Sequence, residues 1–409
     1  METREGRKER MRDALRQRIG RSGDVEDEEI FREIDSLILE EAARDYLTLA
    51  GKRQLRRELF NEIRRLDLLQ ELVDDDSVTE IMVNGTDGIF LERDGHIVRW
   101  EKQIDSREKL EDLVQQIAGR CNRIVNEAVP IADARLKNGA RVNLVLYPIA
   151  LNGPVITIRR FPSDPIGMSQ VIEWNSVTQE AAEFLKVLVK AGYNIFISGG
   201  TGSGKTTFLN ALSDYIPKEE RIITIEDNAE LQIRGVANLV RLEARRGNTE
   251  GENEITIRDL IKSSLRMRPD RIIIGEVRGE EALDMLQALN TGHDGSLSTG
   301  HGNSPKDMLS RLETMVLMGL ELPLPAIRRQ IASGIDIMVH LGRMRDKTRK
   351  VLEILEVTGY DVPSGEIETH TLYEFREKGV PGEDKVCGKL EKSGELLQMQ
   401  KIERAGLSL

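Results

Sequence analysis

Apolar residues recur at intervals of three and four in two stretches near the start of the chain, a period typical of amphipathic helices. The two faces consist of Ile30, Ile34, Leu37 and Ile38, and of Leu55, Leu59, Ile63 and Leu66. The pattern predicts a small helical pack of two helices, separated near Gly51 and Lys52. This helical pack is expected to end at the acidic run that begins with Asp74.

Short apolar runs separated by turn residues then extend from residue 80 to residue 158. Asn84-Gly85 and Asp94-Gly95 lie between such runs, and these dipeptides are strong signals for a hairpin. Another hairpin is predicted to turn at Lys137-Asn138-Gly139, with residues 142–146 as its return strand. A helix whose apolar positions are Leu110, Leu113, Val114 and Ile117 lies among them. This combination of short strands, turns and one helix predicts a compact α+β unit.

Strands and helices alternate from residue 181 onward. The predicted strands cover 193–197, 222–225, 272–275 and 295–299, and the predicted helices cover 181–189, 208–212, 257–268 and 282–289. Such alternation is typical of a mostly parallel sheet. Two more helices, around 308–318 and 326–331, and two strands, at 335–341 and 351–357, are predicted after residue 304.

The two ends of the chain are charged and only weakly periodic. Residues 1–22 carry seven arginines and one lysine mixed with acidic residues. We expect a frayed, solvated segment there, and a tail that touches a partner or an anionic membrane surface is the alternative. The segment from Val380 is expected to form a peripheral helix or a partially ordered end.

Composition narrows the class of protein. The chain has 409 residues, enough for two or three domains, and its 39% apolar and 32% charged residues indicate a soluble globular protein. No run reaches the ~18 apolar residues of a membrane span, and no secretory signal is recognised. Cys121 and Cys387 lie far apart, which fits a reducing compartment and argues against a disulfide scaffold or a zinc site. The net charge of −11 argues against nucleic-acid binding, although a local basic channel is compatible with it.

The strongest chemical signal lies between the predicted strand 193–197 and the predicted helix 208–212. The sequence there matches G-x-x-x-x-G-K-[ST], with Gly199, Gly204, Lys205 and Thr206 in the fixed positions. A glycine-rich turn with a stray lysine is the alternative, and the flanking strand and helix favour a phosphate loop. The candidate nucleotide-binding residues are Gly199, Gly200, Thr201, Gly202, Ser203, Gly204, Lys205, Thr206 and Thr207.

The glycines, the lysine and the threonine of this loop are each suited to bind part of a nucleotide. Glycines let consecutive N–H groups turn toward phosphate oxygens at the positive end of a helix. Lys205 is expected to reach the β- and γ-phosphates, and the Thr206 hydroxyl is expected to bind Mg²⁺. The motif predicts a nucleoside triphosphate ligand with Mg²⁺.

Polar residues follow three other predicted strands of the alternating region. Glu226 and Asp227, Glu276, and His301 stand at these strand ends. Ligands of parallel sheets bind beyond the carboxyl ends of the strands, so these side chains should point at the same edge as the phosphate loop. Several carboxylates on one edge are compatible only if a cation offsets their repulsion.

The strand-end residues suggest catalytic and metal-binding roles. Glu276 is expected to orient the attacking water or to hold Mg²⁺ through water, the alternative being an acid at a helix N-terminus. Glu226 and Asp227 are expected to share the binding of Mg²⁺ or of water. His301, between two glycines, is expected to sense the γ-phosphate, and a structural histidine is the alternative.

Arginines in the α+β unit form a further set of candidates. Arg135 and Arg141 flank one predicted turn, and Arg159 and Arg160 leave the last strand. They are either solvated charges at strand edges or guanidinium groups that close over phosphates, to which arginine binds in pairs of hydrogen bonds. Both interpretations stay open for Arg135 and Arg141.

With these residues in hand, the chain resembles the secretion-superfamily ATPases that power type II secretion, type IV secretion and type IV pili, and especially the CpaF-like Tad/Flp pilus assembly ATPases. The matching segments are 199–207, 224–231, 265–279 and 290–305, with looser matches at 83–85 and 134–142. One departure is that the family more often has bulkier residues where this chain has Gly300 and Gly302.

The resemblance implies an ATPase that uses Mg²⁺ and works as a homo-hexameric ring of two-lobed subunits. ATP would bind between the lobes. The ring would act from the cytoplasm on an inner-membrane platform protein, to which it is peripherally bound. Glu276, Glu226, His301, Arg135 and Arg141 are then the candidate catalytic residues, and Thr206, Glu226 and Asp227 are the candidate metal ligands.

The predicted fold class is α/β: a RecA-like P-loop NTPase domain preceded by a smaller α+β domain and an N-terminal helical segment. The boundaries are 1–75 for the tail and the helices after it, 76–161 for the α+β N-terminal domain, 162–177 for a linker and 178–409 for the RecA-like ATPase domain. A nucleic-acid translocase on the same core is the main alternative, but 4% aromatic residues and the acidic balance do not favour it. A nucleotide-binding regulator without turnover is disfavoured by the joint presence of Lys205, Glu226 and Glu276.

Overall fold

The computed structural model of the chain describes residues 4–19, 26–93, 95–160, 166–245, 247, 253–378 and 385–409. The chain divides into two units, Met1–Ser163 and Asp164–Leu409. Each unit has hydrophobic clusters of its own. The domain boundaries stated above remain a prediction.

The first unit begins with three helices, α1 (Arg4–Ile19), α2 (Asp27–Arg44) and α3 (Leu49–Arg64). Met11 and Leu15 of α1 are buried in the cluster that the apolar faces of α2 and α3 form. The expectation of a frayed N-terminal segment is therefore wrong for the described residues of α1. The break between α2 and α3 lies before Thr48, whose hydroxyl accepts the N–H of Gly51 at 3.1 Å, and Gly51 belongs to α3.

Ion pairs explain why a strongly charged segment folds back onto its neighbours. Arg10 donates two hydrogen bonds of 3.1 Å to the buried carboxylate of Glu41. Arg12 lies 3.3 Å from the carboxylate of Glu62 on α3. The charges of α1 therefore face acidic partners on α2 and α3, a tertiary arrangement that a local pattern does not report.

A short helical stretch leads from the three helices into a sheet. It consists of a 3₁₀ turn (Asp67–Leu69) and α4 (Gln70–Val73). The sheet strands are β1 (Val78–Asn84), β2 (Gly88–Arg93), β3 (His96–Arg99), β4 (Ile131–Arg135), β5 (Arg141–Val145) and β6 (Val155–Arg159), with α5 (Arg107–Arg120) between β3 and β4. The order is β3-β2-β1-β6-β5-β4, and the neighbouring pairs are antiparallel.

The predicted hairpins of this unit are confirmed. β1 and β2 flank Gly85, which has a φ of 57°, and β4 and β5 flank Gly139. Asp94 of the predicted Asp-Gly turn lies outside the described residues, while β2 and β3 pair on either side of it. The predicted apolar positions of α5 are buried in one cluster with residues of the sheet. This unit therefore has the expected combination of helix and antiparallel strands.

The second unit alternates strands and helices. Its helices are α6 (Met168–Glu173), α7 (Gln179–Lys190), α8 (Lys205–Ser213), α9 (Ile257–Ser264), α10 (Glu281–Leu289), α11 (Pro305–Gly319), α12 (Leu324–Gly334) and α13 (Gln400–Arg404). Its strands are β7 (Ile195–Gly199), β8 (Ile222–Glu226), β9 (Leu239–Glu243), β10 (Arg271–Val277), β11 (Leu297–His301), β12 (Ile337–Arg343), β13 (Arg349–Asp361), β14 (Glu366–Glu377) and β15 (Gly388–Lys392).

These strands form one sheet in the order β15-β14-β13-β12-β7-β11-β10-β8-β9. The pairs from β12 to β9 are parallel, and the pairs from β15 to β12 are antiparallel. Helices cover both faces: Ile197 packs in a cluster with α7 and α8, whereas Phe196 packs in a cluster with α10, α11 and α12. The predicted α/β class is confirmed, and β7, which leads into the phosphate loop, is central.

The C-terminal segment is an integral part of this sheet. β15 pairs with β14, and Leu390, Leu396 and Ile402 are buried in the core. The carboxylate of Glu356 is buried and accepts the N–H groups of Leu397 and Gln398 at 2.8 and 2.7 Å. The expectation of a peripheral or partially ordered end is wrong for residues 388–402, because buried contacts fix a segment whose own pattern is weak.

The range assigned to a linker contains α6, whose residues Met168 and Val171 are buried in the core of the second unit. Residues 161–165 at its start lie outside the described residues. Among the described helices, none combines the length and the apolarity that crossing a membrane requires.

Candidate active site

The phosphate loop connects the central strand β7 to α8. Gly204 precedes α8 with a φ of 92°, a left-handed conformation that favours glycine. A Cβ atom at Gly199 would lie 2.5 Å from the carbonyl oxygen of Leu341 on β12. Close packing against β12 therefore explains why residue 199 is a glycine. The left-handed backbone conformation explains why residue 204 is a glycine.

Lys205 is held inside the loop. Its Nζ donates to the carbonyl oxygens of Gly199 and Gly200 at 3.1 and 3.0 Å and lies 3.2 Å from Nδ1 of His301. Burial lowers the pKa of Lys205, and the charge of Glu276 opposes that shift. Since an ammonium group only donates, Nδ1 of His301 is the acceptor, and the ring proton is on Nε2.

His301 connects Lys205 to Glu276. Its Nε2 lies 2.7 Å from Oε1 of Glu276, a close polar contact whose alignment is not that of a hydrogen bond. Burial and the charge of Lys205 lower the pKa of His301, with Glu276 opposing them. The neutral ring thus lies between a cation and a carboxylate.

Arg278 completes this network on the other side of Glu276. Its Nε and Nη2 donate to Oε2 of Glu276 at 2.9 and 2.5 Å. Its Nη1 lies 3.5 Å from Oδ2 of Asp227. The structure therefore brings Lys205, His301, Glu276 and Asp227 together at one edge of the sheet, with Arg278 between the two carboxylates.

Glu226 lies at the end of β8 and is 3% exposed. Its Oε1 accepts the N–H groups of Glu230 and Leu231, both at 2.8 Å, while Oε2 has no hydrogen-bond partner among the described residues. Burial raises the pKa of Glu226 to about 7, against the two backbone hydrogen bonds. Without a bound cation, this carboxyl group is therefore partly protonated at neutral pH. Its two backbone hydrogen bonds stabilise the loop that follows β8.

The polar groups around the loop fit a magnesium nucleotide. Thr206 stands in the first turn of α8, and its hydroxyl makes no hydrogen bond to another described residue. Ser203 Oγ is buried and without a partner in the described part of the chain. The described residues contain no group of three or more His, Cys, Asp or Glu side chains that could hold a metal by themselves. Mg²⁺ characteristically relies on one or two carboxylates, waters and substrate phosphates instead.

Arg135 and Arg141 belong to the first unit. They face each other across the β4–β5 hairpin, and Arg141 pairs in register with Arg159 on β6. Directly opposite residues of antiparallel strands point to the same face, so three arginines form a row across β4, β5 and β6. Arg135 also donates to the carbonyl oxygen of Gly139 at 3.2 Å.

The glycines that depart from the resembled family have a packing role. A Cβ atom at Gly300 would lie 2.9 Å from the ring of Phe196, and one at Gly302 would lie 3.0 Å from the Cβ of Met308. Larger residues at these positions would require neighbouring side chains, or the start of α11, to shift. The two glycines therefore allow β11 and the loop after it to approach their neighbours closely.

Sequence reasoning missed residues that reach the loop from β12 and β13. Arg349 Nε donates to the carbonyl oxygen of Gly202 at 3.3 Å. Nδ1 of His340 lies 2.9 Å from Oγ of Ser198. Both residues are far from the loop in sequence. The parallel pairing of β12 with β7 brings His340 near, and the antiparallel pairing of β13 with β12 brings Arg349 near. The strand 335–341 was predicted, but its place in the sheet has no local signal.

Comparisons with known proteins show the family to which the chain belongs. Residues 63–381 match the family described as Type II/IV secretion system protein. The type IV secretion system protein PtlH of Bordetella pertussis is 34% identical over 316 residues, covering 70% of this chain and 92% of PtlH. The conjugal transfer protein TrbB of Rhizobium radiobacter is 33% identical over 297 residues, covering 72% of this chain and 88% of TrbB.

A solved structure has a similar fold. The crystal structure of the pilus retraction motor PilT with bound ADP matches with a TM-score of 0.52 and 18% identity, covering 83% of this chain and 86% of PilT. This likeness concerns the fold, an N-terminal domain followed by a RecA-like ATPase domain. From the family match and the site together, the chain belongs to the Type II/IV secretion system family and is an ATPase.

Proposed function

We propose that this ATPase is a ring-forming, Mg²⁺-dependent motor that powers pilus assembly or protein secretion at the inner membrane. The observation that carries the proposal is the contact of Lys205 with His301, and of His301 with Glu276, beside the phosphate loop. A lysine for the phosphates, an acid for the attacking water and a neutral ring between them are suited to hydrolysis as well as binding.

The residues have distinct parts in this mechanism. Lys205 exchanges the carbonyl oxygens of Gly199 and Gly200 for phosphate oxygens when ATP enters, because the phosphates offer charged acceptors. Glu276 accepts a hydrogen bond from the attacking water and orients it. His301 contacts both Lys205 and Glu276. Its position therefore changes when Lys205 binds the γ-phosphate.

Mg²⁺, when bound with ATP, offsets the negative charge of the phosphates. Thr206 is the proposed direct ligand. Asp227 and Glu276 are proposed to hold the metal through water. Glu226, which a nearby cation would deprotonate, is the remaining proposed ligand, and its unpartnered Oε2 supports that role.

Arg135 and Arg141 are proposed to close over the phosphates. Their row with Arg159 in the first unit supports the proposal, since it concentrates three permanent positive charges on one face of the sheet. Closure of one unit on the other around γ-phosphate would convert turnover into motion.

The assembly is proposed to be a homo-hexamer in the cytoplasm, bound to the inner membrane through a platform protein. The subtype is proposed to be CpaF-like, within the Tad/Flp pilus assembly machines. The relatives are named for type IV secretion and for conjugal transfer, and both names support an export or assembly machine.

Metal removal tests the magnesium-dependent step. We expect the purified chain to hydrolyse ATP in MgCl₂ and to lose activity by about 100-fold or more in excess EDTA, because a metal supplies several kcal/mol of charge stabilisation. Phosphate release measures the rate. Lys205→Ala is the control and should be inactive in both buffers; equal wild-type rates with and without Mg²⁺ would contradict the proposal.

A further inference from the structure

A second histidine, His340, lies beside the strand that leads into the phosphate loop. It belongs to β12, which runs parallel to β7, and it pairs in register with Ser198. The next pair along the two strands is Leu341 with Gly199, the first residue of the phosphate loop. His340 is 6% exposed and Ser198 is fully buried, so neither side chain is available to a ligand.

Both sides of the His340 ring make polar contacts. Its Nδ1 lies 2.9 Å from Oγ of Ser198. Burial lowers the pKa of His340, and a polar contact between the ring and the backbone of Asn303 opposes that shift. A carbonyl oxygen only accepts, so the ring nitrogen that faces Asn303 carries the proton. Nδ1 of the neutral ring then accepts a hydrogen bond from the Ser198 hydroxyl.

Asn303 is two residues beyond His301, the histidine that contacts Lys205 and Glu276. The same loop is joined to the phosphate loop a second time, because the N–H of Gly302 donates to the carbonyl oxygen of Gly199 at 3.4 Å. The next residue, Ser304, caps α11, and its hydroxyl accepts the N–H of Asp307 at 3.1 Å. The loop after His301 thus makes polar contacts with β7 and β12 and leads directly into α11.

We propose that His340 is a positioning residue, which ties the strand before the phosphate loop to the loop after His301 and so holds His301 between Lys205 and Glu276 during turnover. The proposal rests on the proposed role of His301 in hydrolysis. It goes beyond that role because His340 touches neither the phosphates nor the attacking water.

The chemistry of the contacts explains why a histidine is suited to this place. A single rigid ring accepts from a hydroxyl on one side and donates to a carbonyl on the other. Leucine would leave the Ser198 hydroxyl and the Asn303 carbonyl without this partner in a buried setting. Glutamine keeps one donor and one acceptor and can restore part of the link.

The test compares three variants, His340→Leu, His340→Gln and Ser198→Ala, with the wild-type chain. Steady-state phosphate release gives kcat and KM for MgATP, a fluorescent ADP analogue gives nucleotide affinity, and thermal unfolding gives stability. His370→Leu, on β14, is the matched control. Wild-type turnover, together with its loss in His301→Ala, checks the underlying function separately.

We expect His340→Leu to lower kcat by about 10-fold or more, since a small misplacement of a catalytic group is costly, with ADP affinity within about 2-fold of wild type. Ser198→Ala should lower kcat less, and His340→Gln should recover part of the loss. Where His340→Leu does not fold, the other two variants decide. Wild-type kcat in a folded His340→Leu would overturn the proposal, and so would wild-type kcat in Ser198→Ala where His340→Leu does not fold. So would a loss of kcat that tracks stability in every variant, or a fall in kcat with His370→Leu.

Discussion

Glu276→Gln should lower ATP hydrolysis by about 10²–10⁴-fold while leaving nucleotide affinity near the wild-type value. Glutamine preserves the size of the side chain and its approach to Arg278. It removes the negative charge that faces Nε2 of His301 at 2.7 Å and the ability to accept a proton from water. Single-turnover phosphate release measures the chemical step, and a fluorescent ATP analogue measures binding.

The control for this prediction is Glu280→Gln, which removes the same charge from the residue that precedes α10. Glu280 pairs with Arg258 at 3.0 Å and makes none of the contacts described for the phosphate loop. Its rate should stay within about 2-fold of wild type. Unchanged turnover in Glu276→Gln would remove Glu276 from the catalytic role and would favour the alternative of an acid that stabilises the start of α10.

Replacing Arg135 and Arg141 together by alanine should slow turnover by about 100-fold or more, because positioned guanidinium groups stabilise the charge that develops on transferred phosphate. Both residues lie in the first unit, so the second unit should keep its fold and its affinity for ADP. The hydrolysis rate at saturating ATP and the circular dichroism of the variant are the measurements.

A double variant of two lysines, Lys102→Ala with Lys137→Ala, controls for charge. Lys137 lies in the same β4–β5 turn and Lys102 lies beyond β3, and both are exposed. This control removes two positive charges from the same unit and should keep nearly full activity. If the arginine variant also works at full speed, the arginine row is only surface charge.

Features of the site with a local cause could be predicted from the sequence. The phosphate loop is one, because strand, glycines and helix are consecutive. The positions of Glu276 and His301 are another, because strand ends of a parallel sheet meet at one edge. The contacts of His301 with Lys205 and with Glu276 follow from the order of β10, β11 and β7. The catalytic roles of Glu276 and His301 remain predictions.

Features with a tertiary cause could not be predicted. α1 is stabilised by the burial of Met11 and Leu15 and by pairs such as Arg10 with Glu41, which are 31 residues apart. His340 reaches Ser198 across 142 residues of sequence. Burial also changes the chemistry expected of Glu226, whose raised pKa reflects neighbours rather than its own motif.

The measurement that tests the central claim most directly is the rate of ATP hydrolysis per chain as a function of protein concentration, with sizing of the same samples. A motor whose site is completed by assembly predicts a rate per chain that rises with concentration and saturates as a ring forms. A substantial rate that stays constant while the chain remains monomeric at every concentration would contradict a ring motor.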